Sequence, residues 1–299
     1  MGVHPYLAPV RWPVFLPLLF PALAWGQAPA PGLLWKVSGH GLERPSFVVG
    51  TVHSRDARAY GQVPQLLAII QGQDAVAGEL DLTAGPATSR VMAEAILMPP
   101  GTELADLLPS AKLKRVRKAM DAELGPMALL AGRMKPFFVA AFLGEKSMGA
   151  DSALVLDHYL QVKAKELGKS VVGVETVEEQ IAAVDRIPLQ EQADMLYQLV
   201  RKDVDGKDLD RLLQAYAAQD LGRLAELVAK GVPSGAMGRQ LLLDRNGLMA
   251  ARMDSLLQAG STYLFAFGAA HLPGGQGVLE LLRGQGYSVE AVGQAAERP

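Results

Sequence analysis

"SFVVGTVHS", residues 46–54, is an apolar run that stops on Gly50 and reaches a histidine, His53, three residues later. The same figure recurs near the other end of the chain as "LFAFGAAHL", residues 264–272, with Gly268 and His271. A short run of β-branched and aromatic residues closed by glycine reads as a buried strand. Glycine lets the backbone turn tightly, or come close to another group, without a Cβ in the way. Each histidine then stands where a strand ends and a helix begins, and in open α/β sheets that edge is where ligands bind. The chain has only five histidines, so two in one context point to convergence on a single site. Imidazole in such a place serves as metal ligand or general base.

Working outward, "DAVAGELDL" (74–82) is a third strand with Ala75, Ala77 and Glu79 on one face, and Asp81 two residues on. "KSVVGVETVEEQ" (169–180) is a fourth, running into a helix. Glu79 and Glu175 are both acids at the exits of apolar strands, and a part-buried carboxylate needs a partner, a metal or a raised pKa. Glu175 also has a second reading, as a charge favouring the N-terminus of a helix that Thr176 and Glu179 open with a capping box. Arg245 in "LLLDRNGLMAARM" (241–253) lies beside an apolar helix face. It either ties loops together or clamps a substrate or oxyanion. His158, beside Asp157, reads as a half-buried helical histidine.

The strands cluster at the two ends of the chain and helical patterns fill the middle. The fold class expected is α/β: a central, mainly parallel or mixed sheet with flanking helices and a helical insertion. One domain spans residues 29–299, with helical stretches over about 102–168 and 188–260. Residues 1–28 carry one arginine, no acid and an apolar stretch from Val14 to Ala24. That stretch is shorter than the roughly 20 residues of a membrane span. It reads as a cleavable signal peptide, which places the mature protein in the periplasm or outside the cell with no membrane span.

Composition narrows the chemistry. With 49% apolar and 20% charged residues over 299 positions, the chain can bury a sizeable core. A net charge of −2 gives no basic field for nucleic acid. There is no cysteine, so disulfides, thiolate chemistry and a lipoprotein anchor are excluded. No HExxH and no Gly-x-Ser-x-Gly occurs. "GKS" (168–170) is not a P-loop, because Lys163 stands where that motif needs glycine. "PGGQG" (273–277) is expected to open a helix.

Taken in order, "LLWKVSG…SFVVGTVHS", "AVAGELDL", "VVGVETVEEQ", "LLLDRNGLMAARM" and "FAFGAAHLPGGQGVLELLRGQGYSVE" resemble the TraB/GumN family, from about Leu33 to Val292. That bacterial family is similar to the TIKI proteins of animals, described as metalloproteases dependent on a divalent metal. It shares a superfamily with erythromycin esterase-like and haem-binding ChaN-like proteins. The resemblance implies an α/β fold whose signature is two Gly-x-x-His motifs, here Gly50/His53 and Gly268/His271. It places the strand-end acid on Glu79, the acid before the "EEQ" helix on Glu175, and an Arg-Asn pair on Arg245 and Asn246. Asp244 stands where glutamate is more usual. The function it implies is a metal-dependent hydrolase, a peptidase, with His53, His271 and Glu79 as metal ligands and Glu175 and Arg245 alongside. The donor types admit Zn, Mn, Co or Fe. Two alternatives stay open: a metal-free, esterase-like hydrolase with a histidine base, and a module that binds haem or a metal-bearing ligand without turnover.

Overall fold

The computed structural model describes residues 32–85, 93–147, 151–202, 207–231 and 238–293. The expected signal peptide lies outside these residues. Six strands form one sheet: β1 Leu34–Gly39, β2 Ser46–Thr51, β3 Ala75–Gly78, β4 Ser170–Gly173, β5 Tyr263–Gly268 and β6 Tyr287–Ala291. Their order is β4-β3-β5-β2-β1-β6. β4, β3, β5 and β2 run parallel, and β1 and β6 are added antiparallel. The sheet is therefore mixed, as the α/β reading anticipated.

The burial pattern explains this order. Leu264, Phe265, Ala266 and Phe267 are consecutive in β5 and all buried, so both faces of the middle strand are covered, as parallel strands require. β6 instead alternates, with Tyr287 and Val289 inside and Ser288 and Glu290 exposed, which suits an edge strand with one wet face. The longer helices are α1 Val63–Gly72, α2 Ser110–Leu124, α3 Pro136–Ser147, α4 Leu156–Glu166, α5 Val177–Asp185, α6 Leu189–Lys202, α7 Lys207–Ala217, α8 Leu221–Gly231, α9 Asp244–Gln258 and α10 Val278–Gly284. A π turn, Arg239–Leu243, leads into α9. None of the described helices is long and apolar enough to cross a membrane.

Two apolar clusters result. The larger joins the sheet to α1, α4, α9 and α10 through residues such as Leu66, Ile70, Leu160, Met249, Met253 and Leu282. The smaller is helical, built around Val116, Met120, Met134, Val139 and Leu196. Lys135 on Asp185, and Gln192 on the carbonyls of Val184 (3.2 Å) and Ile187 (2.8 Å), tie the helical body to the end of α5.

Strand register fixes the site. Gly50 lies opposite Phe267 and Thr51 opposite Gly268. Gly78 lies opposite both Gly173 and Ala266. The four parallel strands thus finish nearly level, and the residues that follow them share one edge.

Candidate functional site

His53 leaves that edge from β2. Its path is fixed from below: the Tyr216 hydroxyl donates to the Gly50 carbonyl at 3.0 Å, and the Gly50 N–H donates to Leu33 at 2.8 Å. A Cβ on Gly50 would stand 3.1 Å from the Ala269 Cβ and 3.3 Å from Leu33. The two Gly-x-x-His turns therefore pack directly on each other, and glycine in the first is a packing requirement. Beyond the turn, His53 Nδ1 lies 2.9 Å from Asp157 Oδ2, while the other Asp157 oxygen accepts from the Thr51 hydroxyl. Asp157 is the second residue of α4 and is buried. The α4 start is stitched beneath the turn by Leu156 N–H on Ser54 O, 3.2 Å.

The Asp157 charge dominates the protonation of His53. It outweighs the opposing effect of burial and carries the imidazole from its ordinary 6.5 up to about 10, with Glu79 adding to the rise. A group with a raised folded pKa stabilises the fold below its unfolded value and loses that contribution as pH rises through the folded one. The pair's contribution is thus complete below about pH 6.5 and fades toward pH 10. Asp157→Asn is expected to erase this alkaline limb. Urea unfolding at pH 6, 8 and 10 checks it: the gap between wild type and variant should close as pH rises, and parallel curves would refute the assignment. The ring is 58% exposed, so solvent keeps the energy modest.

Glu79 follows β3 directly. Its Oε2 accepts from Arg245 Nη2 (2.7 Å) and Gln180 Nε2 (3.4 Å), and its Oε1 accepts the Gly268 backbone N–H (2.9 Å). A Cβ on Gly268 would come within 3.2 Å of that same Oε1, so the second motif's glycine makes room for the carboxylate. Glu175 follows β4 and is joined to Glu79 by its backbone N–H on the Glu79 carbonyl, 2.8 Å. Its side chain takes a two-point contact from Arg245, Nε at 2.9 Å and Nη2 at 2.5 Å, and Gln180 at 3.2 Å. The Thr176–Glu179 capping box is present as well. The helix start is thus capped without Glu175, whose carboxylate belongs to the cluster. Asp81 turns away and caps its own turn at Thr83 (2.8 Å).

His271 closes the group from the 3-10 turn after β5, Ala269–His271. Its Nδ1 is 2.6 Å from Asn246 Oδ1 and its Nε2 is 3.7 Å from Glu79 Oε1. Burial pushes this imidazole down, and Glu79 recovers only part of the shift. Burial alone would push Glu79 up, but His271, Arg245, His53 and the Gly268 N–H together hold it well below the usual carboxylate range. One sheet edge therefore carries an imidazole pushed up by Asp157, an imidazole pushed down by burial and a carboxylate held low.

Most of the expected residues meet here: Glu79, Glu175, Arg245 and His271 by direct contact, and His53 close enough for its charge to act on Glu79 and His271. His158 is only half buried, on α4. The sequence reading missed Asp157, Thr51 and Gln180 as site residues. Asp157 had one available signal: with Gln161 it forms an i, i+4 polar pair, both buried, beside the apolar Leu156, Leu160 and Ala164.

Glu79 Oε1 and His271 Nε2, at 3.7 Å, are too far apart to share a hydrogen bond. Bonds of about 2.0–2.2 Å to one tetrahedral ion place two donors about 3.4 Å apart, so this pair has the span of an ion's two ligands. Among the described residues no three histidine or acidic side chains form a ready ion cage, so His53 is not grouped with the pair as a third ligand.

A family model described as TraB/PrgY/gumN matches residues 33–291. The chain belongs to this family. Among the relatives of this TraB/PrgY/gumN chain, the zebrafish metalloprotease TIKI2 is 26% identical, covering 86% of this chain and 60% of its own length. Zebrafish metalloprotease TIKI1 is 27% identical over 88% of the chain and 64% of its own length. Human metalloprotease TIKI1 is 26% identical over 88% and 62%. The chain spans about three fifths of the length of these relatives. No solved structure matches it.

Proposed function

We propose that this TraB/PrgY/gumN chain is a metal-dependent peptidase whose centre is the sheet edge bearing His53, Glu79 and His271. The observation that carries the reading is geometric: Glu79, held by Arg245 and the Gly268 N–H, sets its Oε1 3.7 Å from His271 Nε2 at the edge where both Gly-x-x-His turns end. The metalloprotease names of the relatives support the substrate class.

Glu79 stays anionic because Arg245 and the Gly268 N–H hold it, and it faces His271 Nε2 across the gap. These two would hold a divalent ion, which supplies a water of lowered pKa and polarises the scissile carbonyl. His53 is the proton donor. Its Nδ1 lies 2.9 Å from Asp157 Oδ2, whose charge favours the protonated ring, so Nε2–H can protonate the departing amine. Glu175 and Gln180 fix Arg245 and the Glu79 carboxylate rather than touching the substrate. Departure of an amine is the costly step in amide cleavage, which is why a protonated His53 matters more to a peptidase than to an esterase.

The test is cleavage of a peptide library, read by mass spectrometry, with and without chelator. Cleavage should vanish with chelator and return with a divalent ion. His53→Ala and His271→Ala should each lower it by about 10²-fold or more. Cleavage that survives chelation would overturn the metal part, and cleavage that survives both substitutions would overturn the site.

A further inference from the structure

Asn246 is the third residue of α9 and is buried. Its Nδ2 donates to the backbone carbonyl of Gln276 at 2.8 Å, and its Oδ1 stands 2.6 Å from His271 Nδ1. A carbonyl oxygen can only accept. Rotating the amide by half a turn would set Oδ1 against the Gln276 oxygen and leave two acceptors in contact. The Gln276 carbonyl therefore dictates which end of Asn246 faces the histidine. Oδ1 in turn needs a hydrogen on His271 Nδ1. A neutral imidazole carries one hydrogen, so Nε2 is left with its lone pair. The 3.7 Å separation from Glu79 Oε1 agrees, since a hydrogen on Nε2 would find that anion and draw it closer.

We propose that Asn246 is a positioning residue that fixes His271 in the Nδ1–H tautomer and turns its Nε2 lone pair toward Glu79 Oε1. The control runs through three elements: the loop before α10 sets Asn246, α9 carries it, and the turn after β5 receives it. Its purpose rests on the peptidase reading, but the tautomer itself does not. Arg245, one residue earlier on α9, orients Glu79. One helical turn thus sets the direction of both acceptors. Groups in this outer position at metal centres fix the tautomer and orientation of the ligating ring.

The test is ring-nitrogen NMR on the full chain labelled with ¹⁵N-histidine, with His271 assigned by its loss in His271→Gln. Wild-type His271 should show a protonated Nδ1 and an unprotonated Nε2. In Asn246→Ala the hydrogen should move to Nε2, where Glu79 accepts it. In Asn246→Asp, which still accepts from Nδ1 but sets its second oxygen against the Gln276 carbonyl, it should stay on Nδ1 in the folded protein. Titration with Zn²⁺ alone should then give affinity about 10–100-fold weaker for Asn246→Ala than for the wild type. A wild-type His271 protonated at Nε2, or at both nitrogens, overturns the proposal, as does an unchanged tautomer in Asn246→Ala. If Asn246→Ala does not fold, the wild-type and Asn246→Asp spectra decide. The correct tautomer in a protein that cleaves no peptide would sink the peptidase reading and leave this one standing.

Discussion

Arg245→Met is expected to destabilise the protein by about 3–5 kcal/mol, the usual consequence of removing one partner from a buried charge cluster. Arg245 is the cation shared by Glu79 and Glu175, and both carboxylates are largely withdrawn from water. The pH dependence should also weaken. In the wild type Glu79 is held below its ordinary 4.5, so its contribution is present above that pH and is lost as pH falls through the depressed value. Without Arg245, burial is opposed only by His271, His53 and the Gly268 N–H, the carboxylate rises toward its ordinary range, and the deficit of the variant should shrink as pH falls from 8 toward 5. Adding Glu175→Gln should recover part of the loss, because one unpaired anion is removed. Urea unfolding of the three proteins at pH 5, 6.5 and 8 measures this. A cost under about 1 kcal/mol with an unchanged pH profile would mean that the cluster is wet and weakly coupled.

Gly277→Ala carries the second large expectation, a loss of about 3 kcal/mol, at the upper end of overpacking costs. A Cβ there would stand 2.3 Å from the carbonyl oxygens of both Leu272 and Pro273. These are backbone atoms of the loop that joins His271 to α10, so relief requires the loop itself to move. Gln276 is the adjacent residue, and its carbonyl holds Asn246, so the movement reaches the ring of His271. Gly275→Ala is the matched control: nothing lies within 4 Å of the added atom, and the change should stay within about 0.5 kcal/mol, as surface substitutions do. Thermal melts of the two variants side by side provide the check. Equal melting temperatures would show that the loop is pliable and that its glycine is dispensable.

Much of the architecture was written locally. "VVGTVH" and "AFGAAH" declared strand, turn and histidine in a few residues each, and their neighbours in the sheet end at the same level because Gly50 and Gly268 sit one register step apart. Glu79 and Glu175 were readable as acids at strand exits, since apolar runs that stop at a carboxylate leave it at the margin of the core. What stayed hidden depends on contacts between distant segments. Asp157 meets Thr51 across 106 positions, and nothing near "VLDHYL" says which strand end it will face. The adjacent His158 drew the eye to the wrong member of the pair. Arg245 could be read as a tie between loops or as a clamp, and only the packed structure shows the two carboxylates it spans. Asn246 is harder still, because its orientation is decided by a backbone carbonyl, which no sequence pattern marks.

The existence of two apolar clusters bears on how the protein tolerates change. His53, Glu79, Asp157, Asn246 and His271 all hang from elements of the larger cluster, whereas Val116, Met134 and Leu196 belong to the other. Length variation and repacking among the second set are therefore absorbed in a separate body, linked to α5 through Lys135 and Gln192. The sheet can keep its chemistry constant while the helical body diversifies. The two clusters are expected to open as separate cooperative units, and substitutions within α2, α3 and α6 to disturb the sheet edge less than substitutions in the strands.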